Sequence, residues 1–408
     1  VIKMSGLVKH YQNTMQGIPQ LSNNWGAMIN LLDAVLVAGF NHIPVLSLTK
    51  SSTTAITATI NLGGGHGFID RQVVRIAGST NGWDGDYKVL SADGASITVE
   101  CTTEHPITIS GTATCFTAPL DFEIVHQTSV GSIEPKRAYR STNPDSLGLI
   151  LLVHDFCVLG AAATGAKFAK VGVVSEMADI HTITGSQMPF NPDNPEENWG
   201  WDGVRHGLAK WYYRAGGSSD VGVPLSGDTP FCLVGNSKSF ALETNQGAPL
   251  IYGFFEFHDV GLHSSNVCLL AQGLQGSPGQ AESIGLALRT AYHFSKDTYS
   301  GLGSDNINLR GIVWLNNIGI NTPTRCGHAL GICNASPDAP EKTNLLVASP
   351  LPVTLDNGMV VGSLPFLKMS ASMNNGVFTS AQYGKYITRY LKPSFGIYIK
   401  YALTLESE

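Results

Sequence analysis

Between Leu62 and Phe116 the chain reads LGGGHGFIDRQVVRIAGSTNGWDGDYKVLSADGASITVECTTEHPITISGTATCF, and this stretch constrains the fold more than any other. Runs at Val73–Ile76, Tyr87–Leu90, Ser96–Cys101 and Ile107–Cys115 are rich in β-branched and aromatic residues. Such residues suit a pleated, half-buried surface, and the runs are too short for helices. Gly, Asn and Asp punctuate them. Asn81-Gly82 and Asp93-Gly94 predict type I′ hairpin turns, since Asn and Asp tolerate, and Gly prefers, a positive φ. The stretch therefore reads as a small antiparallel β-module. No motif in it or elsewhere identifies a reaction, and no catalytic residue is assigned.

The flanking segments extend this reading to the whole chain. Its 408 residues correspond to two or three domains at ~150 residues each. Only 14% of residues are charged, against about 25% in ordinary globular domains. Low charge with 45 glycines fits a turn-rich β protein whose surface is largely covered by neighbours. The predicted fold is mainly β: an N-terminal arm and helix (1–42), a small β-module (43–117) and a larger β-sandwich-like body (118–408) with a long loop near 182–203.

Residues 1–22 are polar and mixed, an arm expected to order against a neighbour. Residues 23–39 are the best helix. Asn23 or Asn24 is the expected cap and Gly39 the stop. Trp25, Met28, Ile29, Leu32 and Leu36 recur at helical spacing and form a candidate subunit-interface face. Strands are expected at Pro44–Leu48 and Ala55–Ile60. In the body they are expected at Phe122–Gln127, Arg137–Ser141, Leu147–His154, Phe231–Val234, Ser239–Glu243, Leu250–His258 and Val267–Ala271. Further strands are expected at Ile312–Leu315, Asn344–Val347 and Met359–Leu364. Leu147–His154 is almost continuously apolar, as in a strand buried on both faces. Ala209–Ala215 fits a strand or a short helix, and Ser283–Ser295 leans to strand. The run Phe395, Ile397, Ile399, Tyr401, Leu403 alternates as a terminal strand does. No regular internal period points to a propeller or solenoid.

The formal net charge is −6 without a basic run, so a nucleic-acid partner is not expected. No apolar stretch approaches the ~18 residues that span a bilayer. Val1–His10 lacks the charged-then-apolar layout of a signal peptide. Val1 fits a GTG start codon translated literally, with Met4 as another start. Seven cysteines cannot all pair within one chain. Buried thiols formed in a reducing cytosol are expected, although Cys101–Cys115 and Cys326–Cys333 lie on neighbouring segments where bridges are conceivable.

Two constellations carry candidate chemistry. Cys326, His328 and Cys333 (CGHALGIC) are zinc-ligand types, but without a paired CxxC the simpler reading is two buried thiols and a local histidine, and no cofactor is assigned. Asp193, Glu196, Glu197 and Asp202 surround Trp199 and Trp201. Paired carboxylates hydrolyse glycosides while aromatics stack on the sugar, and the same acids suit Ca²⁺. The plainer alternative is a solvated loop pinned by two tryptophans. Gly63–Gly67 (GGGHG) lacks the GK[ST] of a phosphate loop, and no Ser sits in a G-x-S-x-G elbow. Asp84-Gly85-Asp86 reads as a turn before it reads as a calcium site. His154, His181, His258 and His293 have no ligating spacing.

In order, Gly17–Asn41 (GIPQLSNNWGAMINLLDAVLVAGFN), His66–Ser91, Ala118–Asn143 and Val360–Leu367 (VVGSLPFL) resemble segments of a widespread group of tailed-bacteriophage virion structural proteins, encoded among tail and baseplate genes. The resemblance implies a structural part of the virion, assembled in the bacterial host cytoplasm. It implies contacts with other tail or baseplate proteins, self-association into a ring or trimer, and no enzyme activity. A receptor- or carbohydrate-binding protein at a tail tip or fibre, taking a host cell-surface glycan at the Trp199/Trp201 loop, is the alternative. A polysaccharide-degrading glycoside hydrolase is the weaker one.

Overall fold

The computed structural model describes residues 7–155, 165–188, 209–214, 224–245, 249–258, 265–271, 292–294, 307–314, 323–329, 349–355, 360–369, 376–380, 384–391 and 399–405. The chain is mainly β, as its sequence pattern dictates.

The arm contributes strand β1 (Lys9–Gln12). It orders against its own chain, pairing antiparallel with β17 (Phe231–Gly235) through Lys9↔Gly235 and Gln12↔Cys232. That corrects the expectation of a neighbour: the edge strand finds its partner intramolecularly, and Tyr11, Met15, Ile18 and Leu21 are buried in the main core. The helix runs as α1 (Ala27–Leu32) and continues as a π-helical turn, Asp33–Ala38. Neither Asn23 nor Asn24 caps it. The N-cap is Gly26 in a left-handed conformation, with no side-chain cap of its own. Gly39 ends it at φ 72°, where a Cβ would stand 2.6 Å from both the Phe116 ring and the Thr117 carbonyl oxygen.

The β-module is a closed barrel. Its strands are β2 (Phe40–Pro44), β3 (Ser47–Lys50), β4 (Thr57–Asn61), β5 (Val73–Ser79), β6 (Gly85–Ala92), β7 (Ser96–Glu100) and β8 (Gly111–Thr117). They pair in the order β2-β8-β5-β6-β7-β4-β3. Lys50 N donates to Ile107 O at 2.7 Å and Ile109 N to Leu48 O at 3.1 Å, with a Thr49–Thr108 bridge. Residues 107–109 lead into β8, so these contacts close the end strand β3 onto the β8 side of the sheet. Alternate side chains fill the interior: Leu48, Ile60, Val74, Ile76, Val89, Ile97, Val99 and Cys115, with Trp83 wholly buried at one end.

The turns differ from expectation. Neither Asn81 nor Asp93 takes a positive φ, so neither turn is type I′. Side chains hold them instead. Asp93 Oδ1 accepts from Ala95 N and Ser96 N, Asp84 accepts from Ser79 N and Gly78 N, and Asn81 reaches Thr108 O and Ser110 N.

In the body, one sheet is built from β9 (Phe122–Gln127), β10 (Lys136–Ser141), β11 (Ile150–Asp155), β12 (Phe168–Val174), β15 (Gln187–Met188) and β16 (Lys210–Tyr212). A hairpin of β13 (Met177–Asp179) and β14 (Thr182–Ile183) lies beside it. The central strand β11 is buried on both faces, as its apolar run predicts: Leu151 and Val153 enter the main core, Ile150 and Leu152 a smaller one.

The larger sheet follows from β1 and β17 through β18 (Phe240–Asn245), β19 (Pro249–His258) and β20 (Ser265–Leu270). It continues through β22 (Ile307–Trp314), flanked by β21 (Tyr292–Phe294), then β23 (Pro323–Ala329), β24 (Ser349–Leu355) and β25 (Val360–Met369). It ends with β28 (Ile399–Thr404), β27 (Gly384–Leu391) and β26 (Gly376–Ser380). The sheet curls so that β25 meets β19, and Gly362 backs onto the Phe257 ring. The main core fills the space between the two sheets and takes in α1. The expected strand at Asn344–Val347 and most of Ser283–Ser295 lie outside the described residues.

Candidate functional site

The barrel presents one end to solvent, formed by loops 51–56, 80–84 and 101–110. Local chemistry fixes these loops. Lys50, 4% exposed, donates from Nζ to the carbonyls of Thr53, Thr102, Thr103 and His105 at 3.0–3.4 Å. One ammonium thus ties two loops together through charge-assisted hydrogen bonds. Beneath it, the His105 ring packs on Trp83 at a tilt of 33°, with centroids 4.6 Å apart. His105 Nδ1 accepts from Thr102 N, so Nε2 carries the proton and donates to Tyr87 Oη at 3.0 Å. The Tyr87 hydroxyl donates to Trp83 O. Burial holds the Tyr87 phenol well above its usual range and lowers the His105 pKa, so neither carries charge at neutral pH. The tip therefore offers a preorganised surface: Ser51, Ser52, Thr53 and Thr54, with Ile56 65% and Ile107 44% exposed. Apolar and hydroxyl groups held in place bind a partner without a large ordering cost. They supply no nucleophile–base pair.

The opposite anchorage is electrostatic. Lys9 Nζ lies 2.6 Å from Asp86 Oδ2 and 3.5 Å from Asp121 Oδ2. Arg75 spans the same two carboxylates at 2.5 and 2.7 Å. Lys9 also donates to Pro119 O, and Tyr11 Oη to Ala118 O at 2.7 Å. Arm, barrel and body meet in this one group of four charges. Asp121 sits at φ 64°, a left-handed conformation that Asp tolerates better than most residues, and the two cations hold its carboxyl below the usual range despite burial.

The helix face predicted as a subunit interface is spent inside the chain. Met28, Ile29, Leu32 and Leu36 are each 0–1% exposed in the main core, and Trp25 packs at its edge. The helix is apolar because it packs on β9 and β11 of its own chain, a burial of about 1.5–3 kcal/mol per large apolar side chain. Asp33 turns to β10, accepting from Tyr139 Oη at 2.7 Å and Arg137 Nε at 3.2 Å. Trp199, Trp201, Asp193, Glu196, Glu197 and Asp202 lie outside the described residues. Cys326 and His328 fall on β23 and Cys333 lies outside. Among the described residues, no three His, Cys, Asp or Glu gather as metal ligands. Cys101 and Cys115 are buried thiols and form no bridge.

Sequence reading missed the Lys50 cage and the four-charge group. Their partners are backbone carbonyls or lie far away in the chain, so spacing carries no sign of them. No protein-family model matches the sequence, and a search of curated proteins returns no match.

Proposed function

We propose that the chain is a structural component of a bacteriophage virion, in the tail or baseplate, that works through contacts with other tail proteins and with copies of itself. One observation supports this above others. The first three segments that resemble phage structural proteins are the ones that interlock. Asp33 of the helix segment meets Arg137 and Tyr139, and Arg75 of the module meets Asp121. A braced arrangement of arm, barrel and body suits a part that bears load between neighbours.

Receptor binding at a tail tip is the second reading, favoured by the rigid, exposed barrel tip around Ile56 and Ile107. Immunogold electron microscopy of virions with antibody to this chain tests the first reading. Gold clustered at the tail end supports it; absence of the chain from purified particles by mass spectrometry rejects it. Loss of cell adsorption in an Ile56→Asp, Ile107→Asp phage that still assembles tails would support the second.

A further inference from the structure

Thr102–Ile107 crosses one mouth of the barrel as a strap fixed at both ends. Cys101 N donates to Ile56 O at one end. At the other, Asn81 Nδ2 donates to Thr108 O and Asn81 Oδ1 accepts from Ser110 N. Between those ends its ties converge on Lys50 and His105. Lys50 Nζ reaches the carbonyls of Thr102, Thr103 and His105, and Lys50 N donates to Ile107 O. The His105 ring rests on Trp83 and bonds to Tyr87. Trp83 lies wholly buried under the strap, and among the described residues no group accepts its Nε1–H. A buried donor without an acceptor costs free energy that exposure to water returns, so the closed mouth is poised to open.

His105 fits this arrangement in one protonation state. Nδ1 accepts from Thr102 N at 3.2 Å, with the Thr102 hydroxyl 2.9 Å away, while Nε2 carries the proton and faces Tyr87 Oη. A second proton has to go on Nδ1. It sets an N–H against the Thr102 N–H. It also adds a cation to a loop whose carbonyls already surround the Lys50 ammonium. The ring is half-buried, so protons reach it from solvent. The charged and titratable groups around it are Lys50, Tyr87, Cys101, Glu104 and, beyond Tyr87, Asp84. Burial raises the Tyr87 phenol and the Cys101 thiol, so both stay neutral. The Asp84 carboxylate is turned to Ser79 N and Gly78 N. Lys50 opposes charge on the ring and Glu104 favours it; burial outweighs Glu104 and holds His105 below its ordinary range.

We propose that residues 102–107 form an acid-released strap: a proton on Nδ1 of His105 breaks its bond from Thr102 N, repels Lys50 and frees the strap to swing off Trp83. The Cys101 and Asn81 bonds are its hinges, and the barrel wall stays closed. The device does not depend on what the tip binds. Its direction follows from linkage. The closed strap binds fewer protons than the open one, because closure lowers the His105 pKa. Closure is therefore fully favoured above about pH 6.5, the ordinary histidine value. It weakens as pH falls below that, about tenfold per pH unit, until the closed-state value is passed.

The test is amide hydrogen exchange of the full chain between about pH 7.5 and 5, each rate divided by the intrinsic rate at that pH. Protection of Lys50, Thr102 and His105 should fall roughly five- to tenfold at the acid end, while Val74 and Ile76 in the barrel wall keep theirs. His105→Asn places an amide oxygen where Nδ1 stands and carries no titratable group, so its protection should not change with pH. The wild type gives a second measurement that needs no variant: the ¹³Cε1 resonance of His105 follows the proton, and its midpoint should coincide with the loss of protection at Thr102. Thr102 and Lys50 amides that stay protected at the acid end overturn the proposal. So does an equal loss in His105→Asn, or an opening midpoint that departs from the titration of the ring. Loss at Val74 in step with Thr102 overturns it as well, since the whole chain is then unfolding.

Discussion

Asp155 caps a helix far from it in the chain: its Oδ2 accepts the N–H of Met28, 127 residues earlier, at 2.7 Å and the Ile29 N–H at 3.3 Å. Its Oδ1 accepts from Tyr213 Oη at 2.5 Å. The carboxylate is fully buried and joins the arm's helix, strand β11 and the segment after β16. Asp155→Ala leaves three buried donors without this acceptor. Loss of a cap costs about 1 kcal/mol and each stranded donor about 1–3 kcal/mol, so urea unfolding should show a loss of roughly 3 kcal/mol or more. Asp155→Asn keeps one acceptor oxygen and should lose less.

The same residue sets a pH dependence. Burial raises the Asp155 pKa to about 7, against the hydrogen bonds from Tyr213, Ile29 and Met28. The folded value lies above the unfolded one, so the native state binds the extra proton. Its contribution to stability is complete below about pH 4 and is lost as pH rises through about 7. The difference in unfolding free energy between wild type and Asp155→Asn, measured from pH 4 to 8, should move against wild type as pH rises. A flat difference would refute the assignment.

Lys9→Met removes one cation from the group that holds arm, barrel and body together. Asp86 and Asp121 then share Arg75 alone, in a site where the Lys9 side chain is 6% and Asp86 16% exposed. Breaking a buried pair from one side costs about 3–5 kcal/mol; partial exposure of Asp121 and the remaining Arg75 bring the expected loss to roughly 2 kcal/mol. Limited proteolysis should cut the arm between Lys9 and Leu21 faster in the variant.

At the barrel tip, Lys50→Met leaves four carbonyls without their shared donor. Hydrogen bonds to charged groups contribute about 1.5–3 kcal/mol, and the expected loss is about 2 kcal/mol. Hydrogen exchange should speed up at amides 102–105, while those of Val74 and Ile76 in the barrel wall stay protected until global unfolding.

Many strands were legible where a short apolar run met Gly, Asn or Asp, and Phe122–Gln127 was read to the residue, but Phe168–Val174 was not read as a strand and the expected Pro44–Leu48 strand straddles the break between β2 and β3. The continuous apolar run before His154 gave a strand buried on both sides because such a run has no polar face to offer water. The helix was legible in its apolar spacing, but its cap was not. Local rules look for a side chain within a residue or two of the first turn, whereas Asp155 reaches it through space. The turns around Asn81 and Asp93 were placed correctly and typed wrongly, because side-chain oxygens hold them where positive φ was expected.

What the sequence by itself determined is the β class, the barrel's strand runs and the burial of the helix, all of which follow from local periodicity and turn chemistry. Tertiary structure alone decided where those faces went. The arm and the helix face satisfy themselves within the chain, since β17 offers an edge and β9 and β11 a core. It alone also laid His105 on Trp83 and set the carbonyls of Thr102, Thr103 and His105 around Lys50, because barrel closure, invisible to spacing along the chain, puts distant residues side by side.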